Sequence, residues 1–212
     1  MKAKGDYLAE AIAPQARPSD SAIAKLEQFA TLVQKWNPAI NVVAKSTIYD
    51  LWMRHIVDSA QLFSVVTPEH HHWLDIGSGG GFPGIVIAAL AADLHPQMKV
   101  SLVESDKRKA VFLMEAARLL GLSVAIHTAR IEELSPQNAC IVSARALAPL
   151  SSLCGLAARH VRTGGICAFL KGASVDLELD EARQEWKFAL DRVQSVTDSK
   201  ASLLFLRSLA HV

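Results

Sequence analysis

Half of the 212 residues are hydrophobic, enough to bury a sizeable core, and this excludes a disordered chain. The formal net charge of +1 excludes an overall electrostatic footprint for nucleic acid, so DNA is not an expected partner and any RNA contact must use local patches. Cys140, Cys154 and Cys167 are odd in number, far apart and without a CxxC pair, which points to core thiols in a reducing cytosol rather than a disulfide framework.

The first 19 residues contain Pro14 and Pro18 and no long periodic pattern, so they predict a short helix or arm and then a linker. Glu10 interrupts the apolar stretch behind Lys2 and Lys4, and no secretory signal is expected. From Asp20 the apolar positions Ile23, Leu26, Phe29, Ala30, Val33 and Trp36 recur at helical spacing. This helix is expected to stop at Asn37-Pro38, because a proline disfavours the α conformation in the residue before it. Ile40 to Ala44 reads as extended. Thr47-x-x-Asp50 predicts the start of a second helix through Phe63, on which Arg54, His55 and Asp58 share one surface and Arg54 pairs with Asp58. Together these helices form an expected N-terminal helical extension over 1–68, packed on a core domain over 69–212. His70, His71 and His72 stand immediately before a strand, where consecutive side chains diverge, so they predict a polar loop and no metal.

Trp73 to Leu90, WLDIGSGGGFPGIVIAAL, predicts strand, glycine turn and helix in immediate succession. Gly77, Gly79, Gly80 and Gly81 let a ligand approach the backbone without meeting Cβ atoms, and the amides of the helix that starts near Pro83 then face it. The apolar run Ile85 to Ala92 is too short to span a bilayer, so no membrane partner is expected. Two cofactor classes use such a turn. Gly79-x-Gly81-x-x-Gly84, with Glu104 about 20 residues further on, satisfies the dinucleotide pattern. Asp75-x-Gly77-x-Gly79-x-Gly81 satisfies the pattern that resembles class I methyltransferases using S-adenosylmethionine. The carboxylate two residues ahead of the first glycine favours the second, since it can orient the turn and meet a cationic amino acid moiety but sits badly against a pyrophosphate.

Further on the alternation becomes regular. Lys99 to Glu104 predicts a strand, Asp106 to Leu120 a helix closed by Gly121, and Val124 to Thr128 a strand. Cys140 to Ser143 predicts a strand and Leu150 to Val161 a helix; the Gly164-Gly165 turn then leads into a strand from Ile166 to Leu170. Trp186 to Val196 and Ser202 to Leu209, separated by the turn signal Asp198-Ser199, predict an antiparallel hairpin. The expected fold is α/β: a mostly parallel seven-stranded sheet with a C-terminal antiparallel hairpin, which resembles the Rossmann-like class I methyltransferase fold.

Ligands of open α/β sheets sit beyond the carboxyl ends of the strands, where the strand order switches. Those ends deliver Asp75 and the glycine turn, then Glu104 for ribose hydroxyls, then Ile131 and Glu132 for an adenine face and edge, and finally Arg145 and Lys171. Two cations over a cationic cofactor imply an anionic or electron-rich substrate.

Five separated motifs carry a more specific likeness: Trp36-Asn37 with Asn41, Arg54-His55 with Asp58-Ser59, Gly77 through Gly84, Ala144-Arg145-Ala146, and Leu170-Lys171-Gly172. From about Ala22 onward the chain resembles the glucose-inhibited division protein B family, the bacterial guanine-N7 methyltransferases of small-subunit ribosomal RNA. Departures are small: many relatives have threonine, leucine and aspartate where Ser78, Phe82 and Glu104 stand. By that resemblance Gly77, Phe82, Glu104, Ile131, Glu132 and Arg145 take the family's S-adenosylmethionine-contacting positions, Glu104 as the ribose acid. Asn41, His55, Asp58 and Lys171 match other motif positions, and Arg145, Lys171, His55 and Asp58 are the expected catalytic set, as positioning groups rather than acids or bases. His55 and Asp58 read equally well as a hydrogen-bonded pair pinning the N-terminal helices to the sheet.

The resemblance implies N7 methylation of a guanine in 16S rRNA, guanosine 527 of the 530 loop, by a cytoplasmic enzyme expected to be a monomer. The expected partner is the small ribosomal subunit or an assembly intermediate, with Lys25, Lys35, Lys45, Lys107, Arg108 and Lys109 as candidate RNA contacts. Residue chemistry alone also allows a methyltransferase for a small molecule or protein, a nicotinamide oxidoreductase, or a non-catalytic ribosome-assembly factor.

Overall fold

Trp73, Leu74, Asp75 and Ile76 are all buried, as in a strand covered on both faces, and their strand, β1 (His72–Ile76), is central to the sheet. The computed structural model describes residues 2–212. β2 (Lys99–Val103) and β3 (Val124–His127) extend the sheet on one side of β1, and β4 (Ala139–Arg145) and β5 (Val161–Lys171) on the other, all parallel. β6 (Trp186–Gln194) and β7 (Ser202–His211) form an antiparallel hairpin whose β7 pairs with β5. The order β3-β2-β1-β4-β5-β7-β6 is the expected mostly parallel seven-stranded sheet, and the chain reverses direction across it between β1 and β4. The carboxyl ends of those two strands therefore flank the crevice where such sheets bind ligands.

Successive side chains point to opposite faces, which divides the apolar residues into two cores. Trp73, Leu203 and Phe205 belong to the core shared with α1 (Lys4–Ala11), α2 (Asp20–Ile40), a helical segment 45–65 that contains α3 (Asp58–Ala60), α4 (Gly84–Leu94) and α5 (Lys107–Leu120). Leu74, Ile76, Leu204 and Leu206 belong to the core covered by α6 (Leu150–Ala158) and α7 (Val175–Glu185). Phe29 of α2 lies 5.0 Å from the Phe82 ring and 6.3 Å from that of Phe112, so the N-terminal helices share one core with the glycine-turn helix.

Local expectations fail where tertiary packing overrides them. α2 runs through Pro38 to Ile40 and is closed by Asn41 in the left-handed region, a conformation asparagine tolerates. Residues 40–44 are not a strand: Val42 and Val43 are buried, the Val42 backbone lies against Gly80 of the glycine loop, and Asn37 Oδ1 accepts from Val43 N at 2.9 Å. Thr47 caps no α-helix. Segment 45–65 instead opens with a 3₁₀ stretch, Lys45–Asp50, and a π stretch, Trp52–Val57. Gly164-Gly165 lies inside β5, as a bulge where the register jumps from Ala139↔Val161 to Ile141↔Ile166. α7 was not expected, although Val175, Leu179 and Ala182 are buried at helical spacing.

Candidate functional site

The glycine turn is held from beneath by Asp75. Its side chain is fully buried, with Oδ1 accepting from Ser143 Oγ at 2.6 Å and Oδ2 from Gly84 N at the start of α4 at 3.2 Å. Trp73 Nε1 donates to Ser143 Oγ at 2.8 Å and completes the chain of bonds. Burial pushes the Asp75 carboxyl up to about 6, against those hydrogen bonds. Asp75 therefore anchors the turn, and the structure places its oxygens on Ser143 and Gly84, facing inward rather than lining the cleft where a cationic moiety was expected to meet it. Gly80 sits where a Cβ would strike the Val42 carbonyl, so the backbone of 40–44 and the turn can touch only through glycine.

Above the turn the cleft has two parts. One, about 330 Å³, lies between Ile131, Arg130 and Leu147; the other, about 310 Å³, is floored by Gly77, Ser78, Gly79 and Gly80 and walled by Glu104 and Arg145. Leu147 borders both, with Gly77 below it. Glu104 is buried, its Oε2 accepting from Gly79 N and its Oε1 from Asp106 N, each at 2.7 Å. A carboxylate has about four lone-pair sites, so each oxygen keeps one for a vicinal diol. Gly79, at φ +53°, has only the Gly77 carbonyl near its missing Cβ, at 3.7 Å, and the turn thus leaves an open cradle there. Glu104, this cradle and the apolar Ile131 fit a nucleoside that carries an amino acid. Glu132 lines the same cavity, exposed and paired with Arg130 at 3.2 Å.

A third cavity, about 410 Å³, adjoins the second across Arg145 and Ala146, and His55, Asp58 and Lys171 line it. The structure thus gathers the four expected catalytic residues. Arg145, at the end of β4, stacks on Phe82 with its guanidinium 5.2 Å from the ring centre. Its Nη1 donates to the Arg54 carbonyl at 3.1 Å and meets Asp58 Oδ2 at 3.4 Å, while Nη2 donates to His55 Nδ1. Burial lowers the guanidinium against the Asp58 carboxylate, which holds it up. Asp58 Oδ1 accepts from Thr197 Oγ1 at 2.7 Å and Ser195 Oγ at 3.3 Å, which ties the site to the turn between β6 and β7. The expected Arg54–Asp58 pair does not form, because π winding across 52–57 moves i and i+4 off one line; Arg54 reaches Asp198 instead, at 3.8 Å.

Because Nδ1 of His55 accepts from Arg145, its Nε2 carries the proton and donates to Thr47 Oγ1 at 2.7 Å. Burial first, then Arg145 and Arg54, lower His55 from 6.5 to about 3. Between those values the unfolded chain binds a proton that the folded chain refuses. The contribution of His55 to stability is therefore whole above pH 6.5 and lost as pH falls toward 3. In urea titrations the wild type is expected to lose stability more steeply across that window than His55→Gln; parallel curves would show that the buried site does not hold His55 neutral.

Leu147, Ser195, Thr197 and Glu178 escaped the sequence reading, and Thr47 entered it only as a helix start, not as the partner of His55. Of the four, only Glu178 left a signal, through the helical spacing of Val175, Leu179 and Ala182 around it.

The GidB family pattern, described as rRNA small subunit methyltransferase G, matches residues 22–206. The Ribosomal RNA small subunit methyltransferase G of Cereibacter sphaeroides is 50% identical over 194 residues, which cover 92% of this chain and 93% of that protein. The protein of the same name from Ruegeria pomeroyi is 47% identical over 188 residues, 89% of this chain and 92% of its own. Among solved structures, P. horikoshii TYW2 in complex with MeSAdo superposes with a TM-score of 0.52 at 12% identity, over 72% of this chain and 61% of its own, a likeness of fold alone.

Proposed function

The chain belongs to the rRNA small subunit methyltransferase G family, and from that premise we propose that it methylates N7 of one guanine in 16S rRNA, guanosine 527 in the 530 loop. It is an S-adenosylmethionine-dependent methyltransferase of ribosomal RNA. The observation that carries the finer reading is the shared wall of Arg145 and Ala146, which sets a cavity with room for a base directly beside the glycine-turn cleft.

When bound, S-adenosylmethionine supplies an electrophilic methyl group on a sulfonium. Glu104 would hold its ribose, the backbone of Gly77 and Gly79 its amino acid part, Phe82 the floor beside it, and Ile131 and Glu132 its adenine, whereas Gly81, expected with the other glycines, does not line the cleft because its Cα faces Phe29 and Ile85 in the core. Guanine N7 has an in-plane lone pair and no proton to remove, so the site needs no general base, and a neutral His55 that accepts from Arg145 suits that demand. What the residues supply is alignment, which is worth as much as ~7–11 kcal/mol. Positive charge develops on the purine, so neither cation belongs against N7. Lys171 donates to O6, while the N–H groups of Arg145 not spent on His55, Asp58 and the Arg54 carbonyl hold a backbone phosphate. The guanine must leave its stack to enter the cavity, which favours a loop over a duplex.

A net charge of +1 gives the domain no broad electrostatic grip on RNA, which favours the small subunit or an assembly intermediate as substrate; we take the enzyme to be a monomer in the cytoplasm. Among the described residues no helix is long and apolar enough to cross a membrane. The test is transfer of labelled methyl to subunits that lack the modification, followed by mapping of the label. Label on a single loop guanine at N7 is expected. Equal transfer to naked full-length RNA would remove the subunit from the proposal, and cofactor binding without any label on RNA would remove the substrate.

A further inference from the structure

The third cavity ends on a pair of opposite charges. Lys171, at the end of β5, donates from Nζ to the Ala148 carbonyl at 3.0 Å and pairs with Oε2 of Glu178 on α7; the two side chains are 8% and 15% exposed. Oε2 of Glu178 also accepts from Leu150 N at 2.9 Å, and Oε1 accepts from Ser174 Oγ at 2.8 Å. Burial pushes the Glu178 carboxyl up, but the bonds from Lys171 and Ser174 outweigh it and hold the group below its usual value, so it is an ionised pure acceptor. An ammonium has three N–H donors and a carboxylate about four lone-pair sites. The protein engages two of those donors and three of those sites. One N–H on Lys171 and one lone pair on Oε1 of Glu178 are left over, on adjacent side chains that line the cavity.

We infer that Lys171 and Glu178 act together as the reader of the target base: Lys171 donates to guanine O6 and Glu178 accepts from guanine N1–H. This deepens the proposed function and rests on it. Guanine presents an acceptor, O6, beside a donor, N1–H, which is the complement of a donor beside an acceptor. Adenine presents an amino donor beside a bare N1 and opposes the pair at both positions. The requirement that N7 face the cofactor cleft fixes the base in its plane, so adenine cannot turn to exchange the two edges. Without Glu178 the cavity offers cations to any base with a carbonyl; the carboxylate supplies the selection. The ion pair also keeps the Lys171 ammonium turned away from N7, where positive charge would oppose methyl transfer.

The test uses the full-length enzyme and reconstituted small subunits that carry guanosine, inosine or 2-aminopurine riboside at the target position. Inosine keeps O6 and N1–H and lacks only the 2-amino group; 2-aminopurine lacks both O6 and the N1 proton. The wild type is expected to use inosine within about threefold of guanosine and to lose about 100-fold or more in kcat/KM on 2-aminopurine. Glu178→Gln is expected to lower guanosine and inosine by about tenfold while 2-aminopurine changes by less than about threefold, so that the discrimination shrinks. Glu178→Asp keeps the charge beside Lys171 and withdraws the acceptor, and the same pattern is expected should Glu178→Gln fail to fold. A parallel fall on all three substrates would show that Glu178 only caps α6 and holds Lys171, and would overturn the inference. So would a wild type for which inosine is as poor as 2-aminopurine. If the wild type binds S-adenosylmethionine but does not methylate guanosine-bearing subunits, the substrate reading has failed first and takes this inference with it.

Discussion

Gly79→Val is expected to weaken S-adenosylmethionine binding severely while leaving a folded protein. The backbone at Gly79 has φ +53°, which a β-branched residue adopts only as an outlier, at a cost of about 1–3 kcal/mol. That strain is local, because the nearest atom to the missing Cβ is the Gly77 carbonyl at 3.7 Å and no packed core is displaced. The isopropyl group would instead stand in the roughly 310 Å³ cavity between Glu104 and Arg145, the volume assigned to the ribose and amino acid part of the ligand. It would also twist the Gly79 N–H away from Glu104 Oε2 and free the carboxylate from its set orientation. The expected loss of S-adenosylmethionine affinity is about 100-fold or more, read by isothermal titration, with the thermal midpoint lowered by only a few degrees. Affinity within about threefold of wild type would mean that this cleft is not the cofactor cradle. Gly84→Ala makes the useful contrast, because its methyl would meet the Leu102 side chain and Asp75 Oδ2 inside the core, and there stability falls rather than binding alone.

Arg145→Ala is expected to lower kcat on small subunits by about 100-fold or more, with S-adenosylmethionine affinity changed by less than about tenfold. The guanidinium is the hub of the wall between the two cavities: it is stacked on Phe82, bonded to His55 and paired with Asp58. Its removal leaves a carboxylate with one oxygen unpaired and an imidazole acceptor without a donor, in a site where the Arg145 and Asp58 side chains are 17% and 15% exposed. Breaking a buried pair in this way costs about 3–5 kcal/mol, and the lower end applies here because Thr197, Ser195 and Gln61 still donate to the other Asp58 oxygen. Arg145→Lys does not rescue, since a single ammonium cannot serve His55, Asp58 and the Arg54 carbonyl in one plane. Equal turnover by Arg145→Lys and wild type in single-turnover methyl transfer would show that charge alone, not the planar fork, is what the reaction uses.

The parts of this molecule that local chemistry specifies were legible in the chain. Short apolar runs bounded by turn residues marked β1, β2 and the second half of β5, and the Asp106 cap and Gly121 bracketed α5, because burial period and backbone freedom are properties of neighbouring residues. The glycine turn was legible for the same reason, and the five separated motifs identified the family. α7 was legible too, and missed: its three buried residues keep helical spacing through a run of acids.

What the chain could not reveal was the choice of charged partners. Arg54 stands four residues from Asp58, the spacing at which a helix pairs opposite charges, yet Asp58 bonds to Arg145, 87 residues away, and to Thr197, 139 residues away. Asp75 carries the motif's acid but turns it into the core, and Pro38 lies inside a helix it was expected to end. Each outcome depends on which strand ends the sheet brings together and how much water that meeting removes. A carboxylate takes the donor that desolvation leaves within reach, and only the closed sheet, with β4 beside β1 and the β6–β7 turn folded back over segment 45–65, decides which donor that is.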